Sequence, residues 1–158
     1  MHILLTRPLE DSKEFIVKLK SLGHKVSHLP VIEVNKLKIE KIKFNEYSGI
    51  IFTSVNAVRF LDTKDINKSI YCFCVGSVTE RSVLKKGFQN VFAADGNVDN
   101  LKEIILRNFN QNTGKLLYVS GEMISSNLHK KLTDQDYKID RIINYKVDHI
   151  KKFDEKFI

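Results

Sequence analysis

Apolar residues follow two alternating patterns along this chain. Short continuous runs such as residues 49–53 are typical of strands that are buried on both faces of a parallel sheet. Between the runs, apolar residues recur at helical spacing, as Val55, Val58 and Leu61 do. The runs predict strands at residues 2–6, 25–29, 49–53, 69–75, 90–93, 115–119 and 137–143. This alternation of strands and helices predicts an α/β fold with parallel sheets.

The composition changes after the first strand–helix–strand unit, which occupies residues 1–29. Residues 30–34 continue extended, and lysine residues alternate with apolar ones from 35 to 43. We interpret this stretch as a connector that leads into a short helix, and as a domain boundary. Residues 144–147 resemble this connector, and the remainder of the chain predicts the start of one more helix.

Three strand-to-helix turns carry small polar residues. Their hydroxyl-bearing residues are Thr53, Ser54, Ser77, Thr79 and Ser120. Ser54 has the residue type and position of a helix N-cap, Ser77 and Glu80 match the capping-box pattern, and Asn97 or Asp99 is expected to cap a further helix. In one parallel sheet such turns lie along one edge, where free N–H and O–H groups attract anions. The pattern indicates a site for a ligand with many carboxylates, although a helix-cap role alone also explains these residues.

The net charge of +7 raises the question of a nucleic-acid partner. The 26 basic residues are mostly lysine and are spread along the whole chain. Because no arginine-rich cluster is interleaved with aromatic residues, we expect no nucleic-acid partner. The two remaining explanations are a solvated lysine-rich surface and a positive field that attracts a polyanionic small molecule.

The sequence gives no signal for a membrane or a metal. Its longest apolar runs are far shorter than the roughly 20 residues that span a bilayer, and the N-terminus lacks the features of a signal peptide. We therefore expect a cytoplasmic protein with no membrane partner. Cys72 and Cys74 share one face of a predicted strand, and without a second pair they are expected in the core rather than at zinc. The histidine residues form no pair with metal or catalytic spacing, and no phosphate-binding glycine motif occurs.

Short motifs occur in an order that is typical of one enzyme family. They occupy residues 3–8 (ILLTRP), 30–32 (PVI), 49–58 (GIIFTSVNAV), 75–79 (VGSVT), 95–101 (DGNVDNL), 117–121 (LYVSG) and 143–147 (INYKV). No single motif is specific, but their order and spacing over almost the whole chain resemble the uroporphyrinogen-III synthase family.

The resemblance implies two parallel-sheet α/β domains that are joined by two extended connectors. Residues 1–34 would be the N-terminal part of a discontinuous first domain, and residues 35–142 a continuous second domain. Residues 143–158 would be the second connector and the start of the return to the first domain. Since the family pattern continues beyond this point, we expect the first domain to be incomplete in this chain and the chain to be inactive alone.

The resemblance also implies a reaction. The family closes hydroxymethylbilane, a linear tetrapyrrole polycarboxylate, to uroporphyrinogen III, with loss of water and inversion of the last pyrrole ring, and without a cofactor or a metal. Family matching makes Tyr145 the catalytic residue that assists departure of the hydroxyl group, and it places Thr79 in the cleft between the domains. The expected substrate-binding residues are Thr53, Ser54, Ser77, Thr79, Asn97 and Ser120. The structural alternatives are that Tyr145 is a packed connector residue and Thr79 a helix-turn hydroxyl.

The expected partner is the small-molecule polycarboxylate. We expect the full-length form to be a monomer and this chain to associate with itself. Two other functions remain as alternatives. A signalling receiver domain needs an acidic cluster after its first strand and an aspartate after its third, where this chain has residues 6–8 (TRP) and 76–77 (GS). A non-catalytic α/β module that binds a small polyanion is the alternative, and turnover distinguishes it from the enzyme.

Overall fold

The computed structural model describes residues 1–151, so the helix expected near the C-terminus lies outside the described residues. The strands are β1 (His2–Leu5), β2 (Lys25–His28), β3 (Ile32–Lys36), β4 (Tyr47–Phe52), β5 (Tyr71–Val75), β6 (Asn90–Ala94), β7 (Lys115–Gly121) and β8 (Ile139–His149). The helices are α1 (Leu9–Ser21), α2 (Val55–Phe60), α3 (Ser77–Lys85), α4 (Val98–Asn108) and α5 (Leu128–Thr133). None of these helices has the length and apolar character needed to cross a membrane. The α/β class predicted from the sequence is confirmed.

The chain forms two compact units. One comprises Met1–Asn35 with the described residues from Val147 onward, and the other comprises Lys36–Lys146. In the first unit, β1 pairs in parallel with β2 and α1 connects them. Pro8 immediately precedes α1, and Gly23, with a φ of +80°, allows the chain to turn back after its last residue.

The larger sheet has the strand order β3-β8-β7-β4-β5-β6. β4 pairs in parallel with β5 and β7, β5 with β6, and β7 with β8. The central strands are buried on both faces, as residues 50–52 and 72–74 show by their complete burial. Gly49 lies near the start of β4, where an added Cβ would lie 2.6 Å from Leu116 Cδ2, so a larger residue would require the buried Leu116 side chain to shift.

Aromatic rings fill much of the core on one face of this sheet. Phe73 meets Phe109 edge to face at a centroid distance of 6.0 Å and stacks with Phe92 at 5.4 Å. Tyr137 also lies in this buried cluster, and its hydroxyl group donates a hydrogen bond to the Phe109 carbonyl at 2.6 Å. Such offset and edge-to-face contacts stabilise the packing beyond simple burial of area.

A polar cluster ties three parallel strands together at their amino ends. The Tyr47 hydroxyl on β4 donates a hydrogen bond to Asp140 Oδ2 on β8 at 2.7 Å. Lys115 Nζ on β7 forms an ion pair with the same oxygen at 2.5 Å. Partial burial alone would raise the pKa of the Asp140 carboxyl, but the hydrogen bonds from Lys115 and Tyr47 outweigh it and hold that pKa below its ordinary value. The cluster therefore favours one register of β4, β7 and β8.

The sequence predicts two helix caps correctly and two other features of the helix starts wrongly. Ser54 caps α2 by accepting a hydrogen bond from the Asn56 N–H, as the sequence indicates. Of the two residues expected as the cap of α4, Asn97 or Asp99, it is Asn97 that forms the cap. The capping box expected at Ser77 is wrong, because Gly76 occupies the N-cap position and Ser77 is already the first helical residue. The helix expected directly after β7 is also wrong. Residues 122–127 form a loop there, and α5 begins only at Leu128.

The buried thiols predict a specific sensitivity to alkaline pH. Cys72 and Cys74 are fully buried, and burial raises the pKa of each thiol to about 12. Above pH 9 the thiols ionise in the unfolded chain but not in the folded one, so the free energy of unfolding falls as the pH rises. Between pH 8 and pH 10 we expect the two thiols to remove about 3 kcal/mol of stability.

Urea unfolding under reducing conditions measures this loss. A Cys72→Ala/Cys74→Ala double variant starts from a lower stability because of its smaller side chains, but it should lose about 3 kcal/mol less than the wild type over the same pH interval. Equal pH dependence in the two proteins would show that the thiols ionise as readily in the folded state as in the unfolded state.

Candidate functional site

A pocket of about 440 Å³ lies at the carboxyl ends of the central strands. All the residues that line it belong to the unit formed by Lys36–Lys146. Its polar lining residues are Thr53, Ser54, Asn97, Tyr118, Ser125, Ser126 and Tyr145. The other lining residues are glycine or apolar, so within the described part of the chain the lining carries no charged side chain. Recognition in this pocket therefore depends on hydroxyl and amide groups.

The Tyr145 ring lies directly against the backbone of Gly121. Tyr145 on β8 is opposite Gly121 on β7, just after an irregularity in the strand register. A Cβ atom on Gly121 would lie 2.6 Å from Tyr145 Cζ, so the ring occupies the space that any other residue would fill. The Glu122 N–H donates a hydrogen bond to the Tyr145 carbonyl at 3.0 Å, which fixes the backbone at the same place.

Tyr145 is only 8% exposed, yet it lines the pocket. Its ring also contacts Phe60, at a centroid distance of 6.4 Å. Among the residues that the structure describes, none forms a hydrogen bond with the Tyr145 hydroxyl. A fixed phenol with no hydrogen-bond partner among these residues is suited to hydrogen bonding with a bound molecule.

A second pair of hydroxyl groups lies in the same pocket. Thr53 Oγ1 and the Tyr118 hydroxyl oxygen are 3.0 Å apart, and both residues line the pocket. Burial raises the pKa of the Tyr118 phenol, while its hydrogen bond with Thr53 and the nearby positive charge of Arg141 act in the opposite direction. The phenol therefore remains protonated at neutral pH and can donate a hydrogen bond.

Arg141 fixes the strand end that supports Tyr145. Its Nε donates a hydrogen bond to Ser120 Oγ at 2.8 Å, and its Nη2 donates to the carbonyl groups of Gly121 and Glu122 at 2.9 and 3.2 Å. These bonds connect β8 to the end of β7 and to the start of the loop at 122–127. The guanidinium group therefore determines the path of the backbone on which the Tyr145 ring packs.

Ser54 and Asn97 each use an oxygen atom for helix capping. Ser54 Oγ accepts a hydrogen bond from the Asn56 N–H at 3.2 Å. Asn97 Oδ1 accepts bonds from the N–H groups of Asp99 and Asn100 at 2.9 and 3.1 Å. The Ser54 hydroxyl proton and the Asn97 side-chain amide protons are not consumed by these bonds, so capping and ligand binding are compatible.

The family model described as uroporphyrinogen-III synthase HemD matches residues 13–158 of the chain. The chain belongs to the uroporphyrinogen-III synthase family. No curated protein matches it in a sequence search.

Solved structures of uroporphyrinogen-III synthases show the same fold. The synthetase from Helicobacter pylori is 18% identical, with a TM-score of 0.63 over 98% of this chain and 64% of that one. A mutant synthase from the extremely thermophilic bacterium Thermus thermophilus is 16% identical, with a TM-score of 0.59 over 95% of this chain and 64% of that one. The chain therefore spans 64% of the length of these solved relatives.

The structure brings together four of the site residues that were expected from the sequence of this chain. Thr53, Ser54, Asn97 and Tyr145 all line the pocket. Three others do not line it: Ser77 is exposed on α3, Thr79 is buried in the same helix, and Ser120 is buried against Arg141.

Sequence reasoning missed Tyr118 and Arg141 and assigned no role to Gly121. The Thr53–Tyr118 contact joins residues that are 65 positions apart, so no local pattern indicates it. The only available signal was that Tyr118 and Gly121 belong to the strand and turn of one family motif.

The contact between Gly121 and Tyr145 predicts strong coupling between these two positions. A Gly121→Ala substitution should destabilise the protein by about 1–3 kcal/mol, because the new methyl group overlaps the Tyr145 ring. In a Tyr145→Ala background the ring is absent, and the same substitution should cost less than about 0.5 kcal/mol. Urea unfolding of the four proteins of this double-mutant cycle gives both values.

Additive effects in this cycle would contradict the predicted contact. An equal cost of Gly121→Ala in both backgrounds would mean that the alanine is unfavourable for reasons other than the Tyr145 ring.

Proposed function

We propose that this protein cyclises hydroxymethylbilane to uroporphyrinogen III, a step of tetrapyrrole biosynthesis. The proposal rests on family membership over residues 13–158 and on one structural observation. That observation is a phenol, Tyr145, which is held against Gly121 on the wall of an uncharged, hydroxyl-lined pocket. Because the chain spans 64% of the solved synthases, the activity is proposed for the protein as its gene encodes it.

The pocket suits a substrate that must be held at many polar atoms. Thr53, Ser54 and Asn97 are proposed to donate hydrogen bonds to substrate carboxylates or to its hydroxymethyl oxygen. Donors of this kind, at the carboxyl ends of parallel strands, bind anions without a neutralising side chain in the pocket. The positive net charge adds a field that attracts such a substrate.

Ser77, Thr79 and Ser120 remain proposed substrate-binding residues outside the pocket lining. Ser77 and Thr79 lie near the start of α3, which begins at the same edge of the sheet. Ser120 is engaged by Arg141 and also donates to the Gly121 carbonyl at 3.0 Å, so its contribution would act through the position of that backbone.

Tyr145 is proposed to assist the departure of water. Its phenol proton would form a hydrogen bond with the hydroxyl oxygen of the substrate while the carbon–oxygen bond breaks. The carbon left behind then bonds to the substituted α-carbon of the last pyrrole ring and gives a spiro intermediate. The bond from that α-carbon to its original bridge carbon breaks, and the bridge carbon bonds instead to the free α-carbon of the same ring, so the ring is inverted as the macrocycle closes. The proton lost from that ring balances the one carried away by water, so the reaction yields uroporphyrinogen III and one water molecule and consumes no cofactor.

The two compact units are proposed to correspond to the two domains of the family. Residues 1–34 and 143–158 would belong to the discontinuous first domain and its connector, and 35–142 to the continuous second domain. We further propose that the protein acts in the cytoplasm, as a monomer at the length its gene encodes, with the linear tetrapyrrole as its partner rather than a nucleic acid or a membrane.

Isomer analysis of the product tests the proposed activity. Unaided closure of hydroxymethylbilane gives the type I macrocycle, whereas the proposed reaction gives type III. The protein as its gene encodes it should produce type III from hydroxymethylbilane. If the folded protein gives type I alone, the proposed function is wrong.

Two variants in the same assay separate chemistry from binding. Tyr145→Phe should lower turnover more than Ser54→Ala, because the first removes the proposed proton donor and the second removes one of several contacts. The Ser54→Ala change also removes a helix cap worth about 1 kcal/mol, so the melting temperature of each variant is measured alongside. Small and equal effects on turnover would favour purely structural roles for both residues.

A further inference from the structure

We propose that Tyr118 is a ligand-contacting residue of the pocket, whose hydroxyl group, held by Thr53, donates a hydrogen bond to an oxygen atom of the bound tetrapyrrole. This inference rests on the proposed function, because it takes its ligand from that reaction. It adds to Tyr145 a second phenol from a different strand.

The position of Tyr118 limits what its hydroxyl group can contact. The residue is only 1% exposed, and its ring belongs to the buried cluster that includes Phe73, Phe109 and Tyr137. Nevertheless it lines the pocket, and its hydroxyl group is paired with Thr53, which also lines the pocket. The ring is therefore fixed by the core while its polar end reaches the pocket wall.

The pairing with Thr53 leaves bonding capacity for a ligand. Each of the two hydroxyl groups has one proton and two acceptor lone pairs, and their mutual bond uses only one proton. When Thr53 donates to Tyr118, the phenol proton is free to point into the pocket. An oxygen atom of a carboxylate or of a hydroxymethyl group is the acceptor that suits it.

The surroundings make this donor more effective than an exposed hydroxyl group. The described residues of the pocket lining carry no charged side chain, and Arg141 is opposite Tyr118 in the pairing of β7 with β8. A nearby guanidinium group stabilises the electron density that a phenol gains when it donates to an anion. Tyr118 and Tyr145 would then contact one ligand from two neighbouring strands.

Tyr137 provides a matched control for a substitution at Tyr118. Both tyrosine residues lie in the same buried cluster, and both have a hydrogen-bonded hydroxyl group. The Tyr137 hydroxyl, however, donates to the Phe109 carbonyl and does not line the pocket. Tyr118→Phe and Tyr137→Phe therefore remove the same atom from similar cores but only one of them changes the pocket.

The test is a titration of the protein, as its gene encodes it, with uroporphyrin III, the stable oxidised form of the proposed product, followed by porphyrin absorbance. Tyr118→Phe should raise the Kd about fivefold to tenfold, as expected for the loss of one hydrogen bond. Thr53→Val should raise the Kd by a similar factor. The Kd of the double variant should not exceed that of the weaker-binding single variant, since the two hydroxyl groups act as a unit. Tyr137→Phe should lower the melting temperature but leave the Kd unchanged.

The outcomes separate this inference from the proposed function. If the wild type binds uroporphyrin III and Tyr118→Phe binds equally well, the role of Tyr118 is overturned while the proposed function stands. Equal weakening by Tyr118→Phe and Tyr137→Phe would also overturn it, since the effect would then come from the core. A wild type that binds no uroporphyrin III would overturn both proposals.

Discussion

The parallel arrangement of the central strands is the constraint on which the rest of this structure depends. Because β4, β5, β7 and β8 run in the same direction, the residues that follow each strand gather at one edge of the sheet. Complete burial of residues 50–52 and 72–74 fixes β4 and β5 by packing, and the Tyr47–Asp140–Lys115 cluster fixes β4, β7 and β8 at their opposite ends. Residues far apart in sequence thereby form one pocket.

At that edge, close backbone packing positions the polar groups. Gly121 allows the Tyr145 ring to lie on the backbone, and Arg141 holds the end of β7 through hydrogen bonds to Ser120, Gly121 and Glu122. The charge of Arg141 is thus used mainly to fix the backbone, while neutral hydroxyl and amide groups line the pocket. A site of this kind can hold a polyanion and still allow it to leave, since each neutral contact is weak.

The sequence predicted what depends on local pattern. Buried apolar runs located the central strands, and the caps at Ser54 and Asn97 followed from residue type and position. The capping box at Ser77 failed because Gly76, with a φ of +84°, takes the N-cap position instead. The strand-to-helix turn expected at Ser120 failed because a loop follows β7 instead, in which Met123 is 82% exposed and packs no helix face into the core.

Only part of the site could be predicted from the sequence, because only some of its residues have a local sequence signal. Thr53 was predicted from its place at the end of a strand, and Tyr145 from a family motif. Both signals are local patterns in the sequence. Tyr118 and Arg141 act through contacts across strands, and such contacts depend on the register of β7 with β8. The register is set by packing over the whole sheet, so a local pattern in one sequence does not reveal which residues become neighbours.

The most direct test of the central claim is an NMR titration of the isotope-labelled chain with uroporphyrin III. The porphyrin ring current shifts the signals of nuclei close to it. If the pocket is the binding site, the amide signals of Thr53, Asn97, Gly121 and Tyr145 should shift most, while those of Tyr47 and Lys115 at the opposite edge should not. Unchanged pocket signals, with the main shifts at Tyr47 and Lys115, would contradict the account.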